Sequence, residues 1–109
     1  MQFSSELLKG STKNFILATL SEKEMYGYEI VKTVRDKSQD IITLGEGSMY
    51  PALHELEKLG LLTSRWVAQE GTPDRKYYKL TKKGGKLLKQ ALGEWRVFTK
   101  AVNQIYGIA

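Results

Sequence analysis

The sequence has no cysteine and a single histidine, His54, among its 109 residues. Disulfides and thiolate metal sites are therefore excluded, and so are catalytic pairs of cysteine and histidine. The lack of cysteine is consistent with a reducing cytoplasm. No apolar run approaches the roughly 18 residues that span a bilayer, and the N-terminus lacks the pattern of a secretory signal. We expect a soluble, cytoplasmic protein with no membrane partner.

Nucleotide-binding and catalytic motifs are also missing from the sequence. There is no P-loop and no GxGxxG pattern, and the GEG at residues 45–47 is too short to be either. Ser48 has no nearby base, and no pair of acidic residues marks a pocket. We therefore expect neither an enzyme nor a bound cofactor or metal ion.

The chain does have an ordinary globular composition and a very uneven charge. Its hydrophobic fraction of 41% and charged fraction of 27% fit one folded domain rather than a disordered chain. Residues 75–100 carry nine basic residues and one acid, whereas residues 22–57 carry eight acids and four bases. The basic segment indicates either a polyanionic partner or a merely solvated helix face.

Hydrophobic periodicity predicts three helices in the first half of the chain. The first covers residues 4–20, with Ser4 or Ser5 as its N-cap, and residues 21–25 form a polar connection. The second begins near Gly27 and fades by residues 38–40. The third runs from Glu46 to about Leu59, and its buried side carries Met49, Ala52, Leu53 and Leu56.

The second half of the chain predicts a β-hairpin and one long helix. Residues 61–68 and 75–80 are the two strands, and residues 69–74 form their connecting tip. By alternation, Tyr78 and Leu80 point into the core. Thr81 then caps a helix that continues to about Ile105.

This element order predicts an α+β, mostly α fold, the winged helix-turn-helix, with three helices and a two-stranded wing. In such folds the second helix of the motif enters the major groove of DNA. We expect residues 1–80 to form the winged-helix DNA-binding unit. Residues 81–109 then form a C-terminal dimerisation helix within the same compact domain.

Three stretches of the sequence resemble the PadR family of bacterial transcription regulators. They are residues 25–34 (MYGYEIVKTV), 45–62 (GEGSMYPALHELEKLGLL) and 75–88 (RKYYKLTKKGGKLL). The resemblance covers roughly residues 15–90, and the single terminal helix is similar to the smaller members of the family. It implies a winged-helix fold, a homodimer held by the first and last helices, and repression that a small ligand relieves.

The exposed side of the third helix is the predicted contact with double-stranded DNA. Lysine and histidine side chains there are suited to base edges or phosphates, a proline offers apolar contact to a thymine methyl, and hydroxyls near the helix N-terminus suit phosphate. A glycine allows close approach of the backbone. The predicted contacts on this helix are Gly47, Ser48, Tyr50, Pro51, His54 and Lys58. The alternative is that Tyr50 is partly core and His54 merely solvated.

On the wing, the resemblance places Arg75 and Lys76 beside phosphate, with simple surface charge as the alternative. Thr72 and Asp74 stand where the family commonly has arginine, which weakens the predicted wing contact. Acidic residues also share the third helix. A winged-helix module that binds another protein, without specific DNA binding, is therefore the alternative function.

The last helix carries apolar residues at spacings of three, four and seven. They are Leu88, Leu92, Trp95, Phe98, Val102 and Ile105. This seam is too wide and too aromatic for a lone domain to leave exposed, so we expect it to pack against a second copy of the chain.

An effector cleft is a further expectation from the resemblance. In some relatives, an aromatic residue of this helix lines a cleft at the dimer interface that holds flat apolar ligands. Here the resemblance places Trp95 at that position, beside Phe98, and Leu8, Asn14 and Phe15 of the first helix complete the wall. The alternative is that Trp95 is plain dimer core.

Overall fold

The computed structural model describes Leu8 and residues 10–109. Within that part of the chain, four helices and three strands follow one another. They are α1 (Thr12–Leu20), β1 (Met25–Tyr26), α2 (Gly27–Lys37), α3 (Glu46–Lys58), β2 (Leu62–Val67), β3 (Arg75–Leu80) and α4 (Lys82–Tyr106). The predicted α+β, mostly helical fold is confirmed, with three helices before the hairpin and a long helix after it.

The first helix differs from its prediction at its start. Gly10 adopts a left-handed conformation with φ of 85°, and α1 begins only at Thr12. The backbone N–H of Ser11 donates to the Leu8 carbonyl at 3.1 Å, which closes a turn at this point. A continuous helix over residues 4–20 is therefore wrong. The predicted caps Ser4 and Ser5 lie outside the described residues.

A short strand, β1, also departs from the prediction of a polar connection over residues 21–25. Met25 is buried and pairs with Tyr78 of β3, while Tyr26 pairs with Tyr77. The antiparallel sheet consequently has the order β1–β3–β2, and the hairpin β2–β3 forms the wing beyond it. This third strand fastens the base of the wing to the start of α2.

The core lies between α1, α2, α3 and the inner face of the sheet. Ile16 and Leu17 of α1, Ile30 of α2, and Leu53 and Leu56 of α3 are almost completely buried. The predicted buried side of α3 is confirmed, because Met49 and Ala52 are buried with them. Tyr78 is buried and Leu80 packs against the core, as strand alternation predicts. The opposite side of α3 is left facing solvent.

The end of α3 and the start of α4 are tied together by a compact joint. Gly60, with φ of 78°, ends α3 as predicted. The Thr81 hydroxyl donates to the Gly60 carbonyl at 2.7 Å and accepts from the Gly84 N–H at 3.0 Å, so it caps α4 while holding α3. The Lys83 ammonium donates to the Leu59 carbonyl at 3.0 Å. These bonds satisfy carbonyls that the end of a helix leaves without partners.

Gly84 lets this joint close. A Cβ atom at Gly84 would lie 2.2 Å from the Leu61 carbonyl oxygen and 2.8 Å from the Leu80 side chain. The nearer atom belongs to the backbone and cannot rotate away. At Gly85, one residue later, a Cβ atom would meet only Leu80, at an ordinary 3.9 Å.

We expect Gly84→Ala to destabilise the protein by about 1–3 kcal/mol, because relieving the overlap must move the backbone of the joint. This loss should exceed the gain of about 1 kcal/mol in helix propensity. The matched control is Gly85→Ala, which should raise the free energy of unfolding by about 0.5–1 kcal/mol. Urea unfolding at one fixed protein concentration measures both. Equal stabilities for the two variants would contradict this account of the joint.

Candidate nucleic-acid interface

The exposed side of α3 carries the residues that the sequence assigns to DNA. Gly47, Ser48, Pro51, His54 and Lys58 are all exposed. Glu46 lies in the first turn, where the helix dipole favours negative charge, and Lys58 lies in the last turn, where it favours positive charge. Gly47, Ser48, Pro51, His54 and Lys58, together with Tyr50, are called the recognition surface below.

Tyr50 lies at the edge of the recognition surface, against the start of α2. Its side chain is 42% exposed, so it is neither core nor fully solvated. A Cβ atom at Gly27 would lie 2.7 Å from the Tyr50 hydroxyl oxygen and 3.2 Å from the terminal methyl of Met49. Because Gly27 has no side chain, the Tyr50 ring has room to pack against the start of α2.

Lys76 lies on the inner face of the wing and already has partners within the chain. Its ammonium is 3.7 Å from the Glu57 carboxylate of α3, and the side chain is mostly buried. Glu57 also accepts a hydrogen bond from the Ser64 hydroxyl of β2. The same ammonium lies 5.7 Å from the centre of the Trp66 ring and 5.5 Å from that of Tyr78. The ion pair with Glu57 therefore joins the wing to α3 and offsets part of the Lys76 charge.

Arg75 differs from its neighbour. It is exposed, and its guanidinium carbon lies 4.3 Å from the centre of the Tyr26 ring, a cation–π distance. Among the ion pairs of the described residues, none involves Arg75. The sequence assigns both Arg75 and Lys76 to phosphate, but of these two only Lys76 has an acidic partner in the described chain.

A groove of about 400 Å³ separates α3 from the wing. Tyr50 and His54 lie along it on the α3 side, and Trp66, Arg75 and Lys76 lie along it on the wing side. Asp74 brings one negative charge to the same groove. Burial raises the pKa of the Tyr78 phenol at the groove floor, and the nearby Lys76 ammonium opposes that rise. The groove is open, lined by aromatic rings and weakly cationic.

Trp66 is a groove residue that no sequence motif singles out. It pairs with Lys76 across the two wing strands, and 67% of its side chain is exposed. Strand alternation places residue 66 on the same face as residues 62 and 64, and the register seen in the structure places that face with residues 76 and 78. Alternation alone does not predict its exposure, which depends on how far the wing extends beyond the core.

The outer face of the sheet carries an ion pair that the sequence does not indicate either. The Arg65 guanidinium donates to the Glu24 carboxylate, with one contact from Nε at 3.1 Å. These hydrogen bonds hold the pKa of Glu24 below its ordinary value and raise the pKa of Arg65. Arg65 also lies 5.7 Å from the centre of the Tyr77 ring. The pair joins β2 to the segment before β1.

The apolar seam of α4 is largely uncovered within one chain. Trp95 is 59% exposed, Phe98 61% and Ile105 81%, and Leu92 is also exposed. Val102 is half-buried. Leu88 differs, because it packs into the core of its own chain. We therefore define the seam below as Leu92, Trp95, Phe98, Val102 and Ile105.

Among the described residues, those assigned to an effector cleft lie in two different surroundings. Trp95 and Phe98 pack as a tilted pair with ring centres 6.2 Å apart, beside the exposed seam. Phe15 lines a separate hollow of about 230 Å³ between α1 and α2, with Ala18, Val34 and Ile42. Asn14 is exposed and Leu8 is half-buried.

Metal-binding and membrane-spanning features are absent from the described residues. In that part of the chain there is no group of three or more histidine, aspartate or glutamate side chains arranged to hold a metal ion. None of the described helices combines the length and the apolar character needed to cross a membrane.

Comparison with known proteins adds independent information to this geometry. The Transcriptional regulator PadR-like family matches residues 16–90. A solved transcriptional regulator from Clostridium thermocellum is 36% identical, with a TM-score of 0.84 over 92% of this chain and 97% of the other. A PadR family transcription regulator from Clostridium difficile is 38% identical, with a TM-score of 0.78 over 89% and 99% of the two chains.

A curated relative agrees with these structures over part of its length. The transcriptional regulator YqjI of Escherichia coli is 32% identical over 81 residues. The match covers 74% of this chain and 37% of that protein.

Proposed function

The chain belongs to the PadR-like family of transcriptional regulators and is a DNA-binding regulator, and from this premise we propose that it acts as a homodimeric repressor. In this proposal the recognition surface of α3 enters the major groove of an inverted-repeat operator. The two half-sites are about 34–36 Å apart, the spacing of one helical turn. A small planar apolar ligand relieves the repression.

The observation that carries this proposal is the division of α3 into two sides. Met49, Leu53 and Leu56 anchor one side in the core, while the other side presents small, hydroxyl and cationic residues to solvent. A helix held in this way can enter a groove without disturbing the fold. The wing beside it offers Arg75, and Glu57 reduces the charge that Lys76 can offer.

One α3 helix by itself makes only a modest contact with DNA, and a dimer presents two such helices. From residue 92 to the C-terminus, no described residue is buried, although the seam lies in this segment. The Thr99 hydroxyl on the same helix is shielded from solvent and has no hydrogen-bond partner in the described chain. Packing of the seam against a second copy covers the apolar side chains and pairs two recognition surfaces, so two modest contacts act together.

The recognition surface is tested by His54→Ala and Lys58→Ala. The DNA probes are duplexes from upstream of the protein's own gene and duplexes enriched by random-site selection. We expect His54→Ala to cost about 1–3 kcal/mol of binding free energy if it reads a base edge. Lys58→Ala should also reduce the slope of log K against log salt by about 0.9 for each phosphate that the ammonium neutralises. Gel shifts at several salt concentrations measure both effects.

The matched control is Lys89→Ala, which removes an exposed lysine from α4 instead. Because the proposal leaves the basic face of α4 in solvent, this variant should leave both affinity and slope unchanged. Unchanged binding in the two α3 variants would refute the assignment of this face. Failure of the unmodified protein to bind any duplex in either assay would instead favour a winged-helix module that binds a protein.

The seam is tested by Trp95→Glu, because a charge there must be buried if two copies pack together. The unmodified protein should sediment with a mass near twice the 12.4 kDa of one chain, and the variant should sediment as a monomer. Val97→Glu is the control, since Val97 is exposed on the side of α4 away from the seam. A monomeric unmodified protein at about 50 μM, far above the micromolar dissociation constants of weak complexes, would contradict the proposal.

The effector part of the proposal places Trp95 and Phe98 opposite the partner's first helix, with Asn14, Phe15 and Leu8 in the wall. Flat polycyclic aromatics should then quench tryptophan emission saturably, and most of that quenching should disappear in Trp95→Phe. Plain dimer core, the alternative, predicts no saturable quenching by any of them. Fluorescence titration of the dimer measures the outcome.

A further inference from the structure

We propose that Trp66 is a DNA-contacting residue, and that it packs against the sugar–phosphate backbone which borders the major groove. This inference rests on the proposed function, because it assumes that α3 enters that groove. It adds an uncharged contact on the wing to the charged contacts that the sequence indicates.

Position distinguishes Trp66 from an ordinary exposed side chain. A single apolar residue on a surface needs no explanation by itself. Trp66, however, lies along the groove that also borders Tyr50 and His54 of α3. When α3 enters the major groove and the wing lies beside it, the backbone strand between them must run along this groove. The indole is therefore placed where a deoxyribose and its phosphate pass.

Chemistry supports the same partner. The indole has an apolar face that suits a deoxyribose and a single N–H donor that suits a phosphate oxygen. Its neighbour Lys76, 5.7 Å from the ring centre, adds a positive charge to that environment. Because Glu57 offsets part of this charge and Asp74 lies along the same groove, the positive charge there comes mainly from Arg75. The Trp66 indole adds an uncharged contact to these charges.

Contacts between the wing and α3 also hold the strand that carries Trp66 in place. Its strand partner Lys76 is tied to α3 through Glu57, and Glu57 is tied to β2 through Ser64. This network keeps β2 at a fixed place relative to α3. Binding of DNA then costs the wing little conformational freedom, which favours affinity.

The test compares Trp66→Ala and Trp66→Phe in the full-length protein, with the same duplexes as above carrying a fluorescent label. We expect Trp66→Ala to weaken binding about tenfold and Trp66→Phe, which retains a ring but has no N–H, about threefold. Because Trp66 is uncharged, the slope of log K against log salt should not change in either variant. Arg75→Gln, in contrast, should reduce that slope by about 0.9 for each phosphate that the guanidinium neutralises.

Two controls make the result specific. Thr63→Ala alters an exposed residue of the same strand on the opposite face of the sheet and should bind as the unmodified protein does. Thermal melts should confirm that Trp66→Ala folds, as its exposure predicts. The change in tryptophan emission on adding DNA should be absent in Trp66→Phe, which retains Trp95.

The outcomes separate this proposal from the one on which it rests. If the unmodified protein binds a duplex and both Trp66 variants bind it as tightly as Thr63→Ala, the contact by Trp66 is refuted and the repressor proposal stands. If the unmodified protein binds no duplex, both proposals are refuted. Weaker binding by the two Trp66 variants at an unchanged salt slope, together with loss of the emission change in Trp66→Phe, supports the contact.

Discussion

The close approach of α4 to the end of α3 is the constraint on which the rest of the structure depends. Gly84 lies so near the Leu61 carbonyl that no side chain fits between them, and the Thr81 hydroxyl bonds both helices at once. The direction of α4 is therefore set by the helix that carries the recognition surface. In the proposed dimer, this joint would link the spacing of the two α3 helices to the way the two α4 helices pack.

The wing depends on a second connection, which uses charge rather than close packing. Glu57 accepts from Ser64 and pairs with Lys76, so one carboxylate of α3 holds both wing strands. The same arrangement withdraws part of a positive charge from the surface. The ion pair of Lys76 thus makes the wing more rigid and lowers its available positive charge, whereas Arg75 forms no ion pair among the described residues.

Local pattern predicted most of this fold, and contacts between distant segments account for what it missed. The buried side of α3, the Gly60 stop, the Thr81 cap and the strand β3 all follow from short-range signals. Strand β1 has two residues, and its pairing with Tyr77 and Tyr78 depends on a segment about fifty positions away. The partial neutralisation of Lys76 depends on how α3 packs on the sheet. Leu88 has the spacing of the seam, yet it is buried in the core of its own chain.

The length of α4 gives the joint a mechanical meaning. The helix has 25 residues, and at 1.5 Å per residue it is a rod of about 37 Å fixed at one end. A tilt of about 5° at Gly84 would displace its far end by about 3 Å. A small rotation at the joint moves the far end of α4 by several ångströms, and a displacement of that far end in turn rotates the joint only slightly. In the proposed dimer, a ligand that separates the two α4 helices by a few ångströms would need only a slight rotation at each joint to change the relative placement of the two α3 helices.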